Sequence, residues 1–322
     1  MSARLFTFLL ALLSLLPGRA IAEIYPARPI RLIVPQEAGG SVDTVSRYIA
    51  ARLATELRTS VVVENRSGAS GTIGTEQVAR AAPDGYMLLV ASTNTHAMAP
   101  HVVPSIAYDS LRDFVPVVLI SYSTSMMVVA KSVPVRSLSE LAAYSRAHPG
   151  TINYGSAGVG SSNHLMVELY KSLSGADIVH IPYRGSAQNV TALAAGEVGF
   201  IVNSVSSMLP VVQAGKATAL AVTGDRRLDA LPDVPTVTEA GYPALNVKLW
   251  SGLMAPVGTP PEVIETINRQ VNAILREPES AQWFAARRHF VLGGTSAEFA
   301  ATLRADYARW ADLVRDARIR SE

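Results

Sequence analysis

Pro35-Gln36-Glu37-Ala38-Gly39-Gly40-Ser41-Val42-Asp43 lies between an apolar run, Ile30–Val34, and a segment with helical spacing at residues 44–57. It reads as strand, glycine turn, helix. Adjacent glycines allow positive φ and bring bare backbone close to a ligand. Ser41 is the N-cap candidate for the helix that follows. The turn therefore offers free N–H groups at the positive end of a helix dipole, which suits an anion.

A glycine turn of this kind is common between strands and helices, so its recurrence carries the weight. Gly155-Ser156-Ala157-Gly158-Val159-Gly160-Ser161-Ser162 follows a second strand-like run at 151–154 and opens a second helical stretch at 163–173. The order then continues alike in both places. In the first, strand 61–65, loop 68–71, helix 72–82 and strand 86–91 lead to Ser92-Thr93-Asn94-Thr95-His96. In the second, strand 178–181, loop 182–186, helix 187–195 and strand 198–202 lead to Asn203-Ser204. Each half is a βαβαβ unit with small polar residues at its strand ends. Ligands of open parallel sheets bind beyond the carboxyl ends of the strands. Two such sheets facing each other enclose a cleft.

The remaining chain arranges itself around these units. Residues 114–131 read as extended chain crossing from one lobe to the other, and 217–223 as the return crossing. Ser137-Leu138-Ser139-Glu140 is a capping box. Pro260-Pro261 starts a helix with Val263, Ile267, Val271 and Ile274 on one face. Residues 279–288 and 296–318 are further amphipathic helices, the last through Phe299, Leu303, Tyr307, Trp310 and Val314. The divisions are 1–22 as a leader, 23–122 as the first part of lobe 1, 123–225 as lobe 2, and 226–322 as the return to lobe 1 with C-terminal helices.

The leader reading rests on Arg4, an apolar run at 5–16, Pro17-Gly18 and Ala20-Ile21-Ala22 before Glu23. That is a secretory signal peptide, too short to span a membrane. An exported, periplasmic protein is expected. Of the 322 residues, 49% are hydrophobic and 17% charged, enough for sizeable cores. The net charge of +2 is scattered, so nucleic-acid binding is not expected. With no cysteine there is no disulfide, thiolate or cysteine metal site.

Enzyme signatures are missing: Tyr154 and Gly158 flank Ser156 where a nucleophile elbow needs two glycines, and no phosphate-loop or dinucleotide fingerprint occurs. The six histidines are read as structural or solvent-exposed, with His96 and His164 falling at the loops of the proposed cleft. No metal or other cofactor is expected. Asp43 either stabilises the positive helix end or accepts hydrogen bonds from an amine or hydroxyl of the ligand.

Many of these motifs, in order, resemble the periplasmic solute receptors of tripartite tricarboxylate transporters, the TctC-like or Bug proteins. They include Tyr25-Pro26, Gly39-Gly40-Ser41-Val42-Asp43 with Arg47, Glu64-Asn65-Arg66, and Gly68-Ala69-Ser70-Gly71. Ala82-Pro83-Asp84-Gly85-Tyr86, Tyr154-Gly155-Ser156-Ala157-Gly158, His180-Ile181-Pro182-Tyr183-Arg184-Gly185-Ser186 and Leu231-Pro232-Asp233-Val234-Pro235 continue the series. The resemblance implies a two-lobed α/β Venus flytrap, monomeric, which captures a small organic carboxylate and passes it to membrane permease subunits. It implies a ligand held by Ala38, Gly39, Gly40, Thr95, His96, Ser156, Gly160 and Ser161, with Asp43 at its distal part and Asn203 beside it. Gln36-Glu37 replaces the aromatic-and-proline version of the first turn, which bears on ligand identity. The competing classes are a ligand-sensing partner of a signalling receptor and a periplasmic enzyme acting on a small acid.

Overall fold

The computed structural model describes residues 25–319, so the expected leader lies outside the described residues. The first half builds β1 (Ile30–Val34), α1 (Ser41–Leu57), β2 (Val61–Asn65), α2 (Thr72–Ala79) and β3 (Met87–Ser92). β1 pairs in parallel with β2 on one side and β3 on the other. Ile30, Leu32, Ile33 and Val34 are all essentially buried, as a parallel strand covered on both faces requires. On α1, Val45, Ile49 and Leu53 recur every four residues and are sealed against the sheet.

The second half repeats the plan with β6 (Asn153–Ser156), α4 (Ser162–Ser174), β7 (Val179–Pro182), α5 (Ser186–Ala195) and β8 (Phe200–Ser204), where β6 again lies between its two parallel neighbours. Before it come β4 (Phe114–Ser123), β5 (Ser125–Ala130) and α3 (Leu138–Ala147), whose N-cap Ser137 accepts from the Glu140 N–H as expected. After it come α6 (Val205–Gln213), β9 (Ala217–Val222) and β10 (Leu249–Pro256). The chain then closes with α7 (Pro261–Arg276), α8 (Pro278–Ala286), β11 (His289–Gly293) and α9 (Ser296–Asp316). One sheet runs β11-β4-β10-β3-β1-β2 and the other β7-β6-β8-β5-β9. The fold is a two-lobed α/β architecture of two mixed sheets with flanking helices.

The outward crossing falls at Thr124: Ser123 pairs with Leu249 in one sheet and Ser125 with Ser204 in the other. The return crossing differs from expectation. β9 stays in the second sheet, antiparallel to β5, and the turn-rich chain after it stays there too. Val237 N–H donates to Val222 O at 2.8 Å, and Val237, Leu245 and Val247 join the second lobe's core. The chain returns only at β10. Apolar alternation marks a strand but does not say which sheet receives it. β11 was not foreseen either, since five residues beside a helix end carry little periodic signal.

The last helix is more than scaffold for one lobe. Its Phe299 and Leu303 pack in the core beneath β3, β4 and β10, whereas Trp310 and Val314 belong to the core of the second lobe. Thr295 and Glu298 close a capping box at its start. One helix thus packs into the cores of both halves.

Candidate functional site

Two adjoining cavities, of about 190 and 150 Å³, lie between the lobes beside the two glycine turns. Gln36, Gly40, Asn94, Asn163 and Ser186 line both. The amino ends of four helices converge there. α1 presents Gly40, Ser41 and Val42; α4 presents Ser161, Ser162 and Asn163; α5 presents Ser186 and Ala187; α6 presents its N-cap Ser204. The first N–H groups of a helix have no partner within it, and the dipole adds positive potential. Below them runs a floor of serines from neighbouring strands: Ser92, Ser251, Ser123, Ser125 and Ser204. Register explains this floor, because Ser251 pairs with Ser92 and Ser125 with Ser204 across the strands.

Of the expected contacts, Ala38, Gly39, Gly40, Ser161 and Asn203 line the cavities. Only Gly39 of the first turn uses positive φ, at +81°; Gly40 is the N-cap at −73°, and Ser41 is the first helical residue instead of the cap. Ser41 Oγ turns to His289 Nε2, 2.9 Å away. Ser161 caps α4, accepting from His164 N–H at 3.4 Å and donating to Gly158 O at 2.6 Å. Asn203 accepts from Ser204 N–H at 2.8 Å and donates to Ser186 O at 3.3 Å, tying two helix starts together.

The other expected contacts stand behind the cavity walls. Asp43 is buried and accepts from Gly39 N–H at 2.8 Å, Asn65 Nδ2 at 2.8 Å and Arg47 Nε at 3.0 Å. Burial alone would raise its pKa, but these donors more than offset that and lower it. It is a staple for the first turn and does not line the cavities. Thr95 and His96 are fully buried, since the π-helical turn Asn94–Met98 rotates them inward and leaves Asn94 at the cavity. Thr95 Oγ1 meets His96 Nδ1 at 2.9 Å, and the imidazole packs on Tyr108 and Phe114. Ser156 is fully buried; its Oγ meets His180 Nε2 at 2.6 Å and accepts from Gly158 N–H at 3.0 Å, so it braces the second turn from beneath. Gly160, at φ +78°, touches the opposite lobe: an added Cβ would stand 2.5 Å from Val103 Cγ2. Beside it Ser70 Oγ donates across the seam to Val159 O.

Sequence reasoning missed Ser162, Asn163 and Ser186, which placing the N-caps one residue earlier would have found. It missed Trp250, Ser251 and His289 for a different reason. They arrive on β10 and β11 from far along the chain, with no local signal. His289 meets Ser41 and, through Nδ1 at 3.3 Å, Ser121.

Burial, with Arg287 nearby, pushes His289 down to about 4; burial, with His180 nearby, does the same to His164; burial alone takes His96 to about 3. A folded-state value below the ordinary 6.5 means the fold holds these rings neutral. Their contribution to stability is complete above pH about 6.5 and is lost as pH falls toward the folded values. A melting series is therefore expected to fall steadily from pH 7 to 4.5, with His164 and His289 each costing about 2 kcal/mol by pH 5. His289→Asn should flatten the series; an unchanged slope would remove His289 from the account.

The tripartite tricarboxylate transporter family receptor profile matches residues 45–318. BugT of Bordetella pertussis is 36% identical over 296 residues, covering 92% of this chain and 91% of the relative. An R. palustris protein solved with adipate superposes with a TM-score of 0.86 at 34% identity, covering 92% of this chain and all of that one. MatC from Rhodopseudomonas palustris, solved with bound malate, superposes at 0.85 with 32% identity, covering 90% of this chain and all of that one.

Proposed function

Because the chain belongs to the tripartite tricarboxylate transporter family of receptors, we propose that it captures a small carboxylate-bearing organic acid between its lobes and delivers it to membrane permease subunits. The observation that carries this reading is the convergence of the α1, α4, α5 and α6 amino ends on the paired cavities. A carboxylate fits such a site through N–H groups, with Arg184 lining the same cavity. Each charge-assisted bond from an N–H group contributes about 1.5–3 kcal/mol. A few of them in a closed cleft suffice for micromolar affinity, about −8 kcal/mol. Relatives that bind adipate and malate support the same class of ligand.

On this reading Ala38, Gly39, Gly40, Ser161 and Asn203 form the contact surface, joined by Ser162, Asn163 and Ser186. Asp43, Thr95, His96, Ser156 and Gly160 hold that surface in shape. The protein acts as a monomeric periplasmic receptor, exported by residues 1–22, that releases its ligand unchanged.

A thermal-melt screen of ligand-stripped protein against carboxylates and their neutral amides tests it. Binding to the native state stabilises by about 2.7 kcal/mol at a hundredfold excess over Kd, which moves the melt by degrees. An acid is expected to shift the melt where its amide does not. Equal shifts from acid and amide would defeat the carboxylate assignment.

A further inference from the structure

We infer that Glu37 is a specificity-determining residue that selects, among small acids, those also carrying an ammonium group. This rests on the carboxylate-receptor reading and narrows it. Glu37 belongs to the first glycine turn and lines the 190 Å³ cavity. Its side chain reaches the opposite lobe, where the carboxylate lies directly against Gly185, the N-cap of α5. A Cβ added to Gly185 would overlap Oε2, with Cδ at 2.6 Å and Oε1 at 3.3 Å. Among the described residues no group donates a hydrogen bond to this carboxylate, and no cationic nitrogen pairs with it. Arg184 lines the same cavity, with its backbone N–H on Gln188 Oε1 at 3.2 Å, and its guanidinium likewise has no ion-pair partner among the described residues.

An unpaired anion at the mouth of a cavity whose other walls attract anions works against a purely anionic ligand. Like charges in one small cavity repel, even with Glu37 exposed to screening solvent. A ligand bearing both charges removes the conflict. Its carboxylate takes the helix amino ends, while its ammonium donates to Glu37 through a charge-assisted bond. The glycine at 185 leaves room for the Glu37 carboxylate to cross the seam and stand beside the other lobe. Simple acids lack that contact and meet the repulsion instead, which is selection by an unfavourable element as well as a favourable one.

Calorimetric titration of the purified protein with matched probes, aspartate against succinate and 4-aminobutanoate against butanoate, tests the inference. In at least one pair the amino member is expected to bind about tenfold tighter or more, and Glu37→Gln to bring the pair to within about twofold, largely by tightening the deaminated acid. Glu37 is exposed, so the variant is expected to fold; circular dichroism checks this. Equal or tighter binding of the deaminated acids by the natural protein, or a ratio that survives Glu37→Gln, overturns the inference and leaves the receptor reading standing. Absence of binding by every probe and by the whole carboxylate panel overturns both.

Discussion

Gly160→Ala is expected to weaken ligand binding at least about tenfold while costing only about 1–2 kcal/mol of stability, the usual penalty for a side chain in the left-handed region. The two effects have separate origins. The stability cost is local, arising from φ +78°. The affinity cost is at the seam, where the new methyl would stand 2.5 Å from Val103 Cγ2 and 3.5 Å from Ser70 Oγ. Val103 is β-branched and stiff, so it yields poorly and the lobes must part. Helix amino ends that converge only when the lobes are together then lose their common focus. Trimming the opposing side chain supplies the control: Val103→Ala in the Gly160→Ala background is expected to recover most of the affinity. Calorimetry with whichever acid moves the melt, alongside small-angle scattering for lobe separation, reads both quantities. Natural affinity in the single variant would mean that this contact does not govern closure.

Asp43→Ala is expected to lose about 2–4 kcal/mol of stability and to abolish measurable binding together. Removing the carboxylate takes the acceptor from Gly39 N–H, one of two acceptors from the Asn65 amide, and the ion pair from Arg47, which keeps only Asn65 Oδ1. Three bonds to one carboxylate are lost together, and water reaching the exposed Gly39 and Arg47 replaces them only in part. The turn carrying Ala38 to Gly40 then keeps a single side-chain tie to β2, from Asn65 Nδ2 to Gln36 O at 3.1 Å. Asp43→Asn separates charge from shape: it keeps an acceptor oxygen and should recover part of the stability. A folded Asp43→Ala protein with natural affinity but a changed ligand ranking would restore Asp43 as a ligand contact. Because its pKa is lowered in the fold, this staple contributes fully above the ordinary carboxylate value and is lost as acid titrates it, below the range in which the histidines act.

Local rules account well for what was legible beforehand. Ile30–Val34 is apolar throughout because both faces of a central parallel strand are covered. Ser137 with Glu140 capped a helix where the spacing said it would. The two glycine turns were found because backbone that must approach a ligand, or take positive φ, needs glycine whatever surrounds it. The same logic did not separate Gly39 from Gly40, since identical residues serve there as a turn and as a helix cap.

Facing direction was harder. Thr95 and His96 follow a strand end, where polar residues usually meet the ligand, yet one π-helical turn carries them into the core and leaves Asn94 at the cleft. Ser156 looked like a contact and is a brace, because His180 from the adjacent strand claims its hydroxyl.

What the amino-acid sequence determined by itself was the repeated strand-turn-helix plan, the Ser137 cap and the two glycine turns that border the cleft. These depend on residues within a few positions of one another. Tertiary structure alone decided that β9 stays with the second lobe, that α9 enters both cores, and that His289 and Ser251 reach the cleft. It also decided that Glu37 meets Gly185 across the seam. Those outcomes are set by which surfaces bury each other between segments far apart in the chain, and no local pattern encodes that choice.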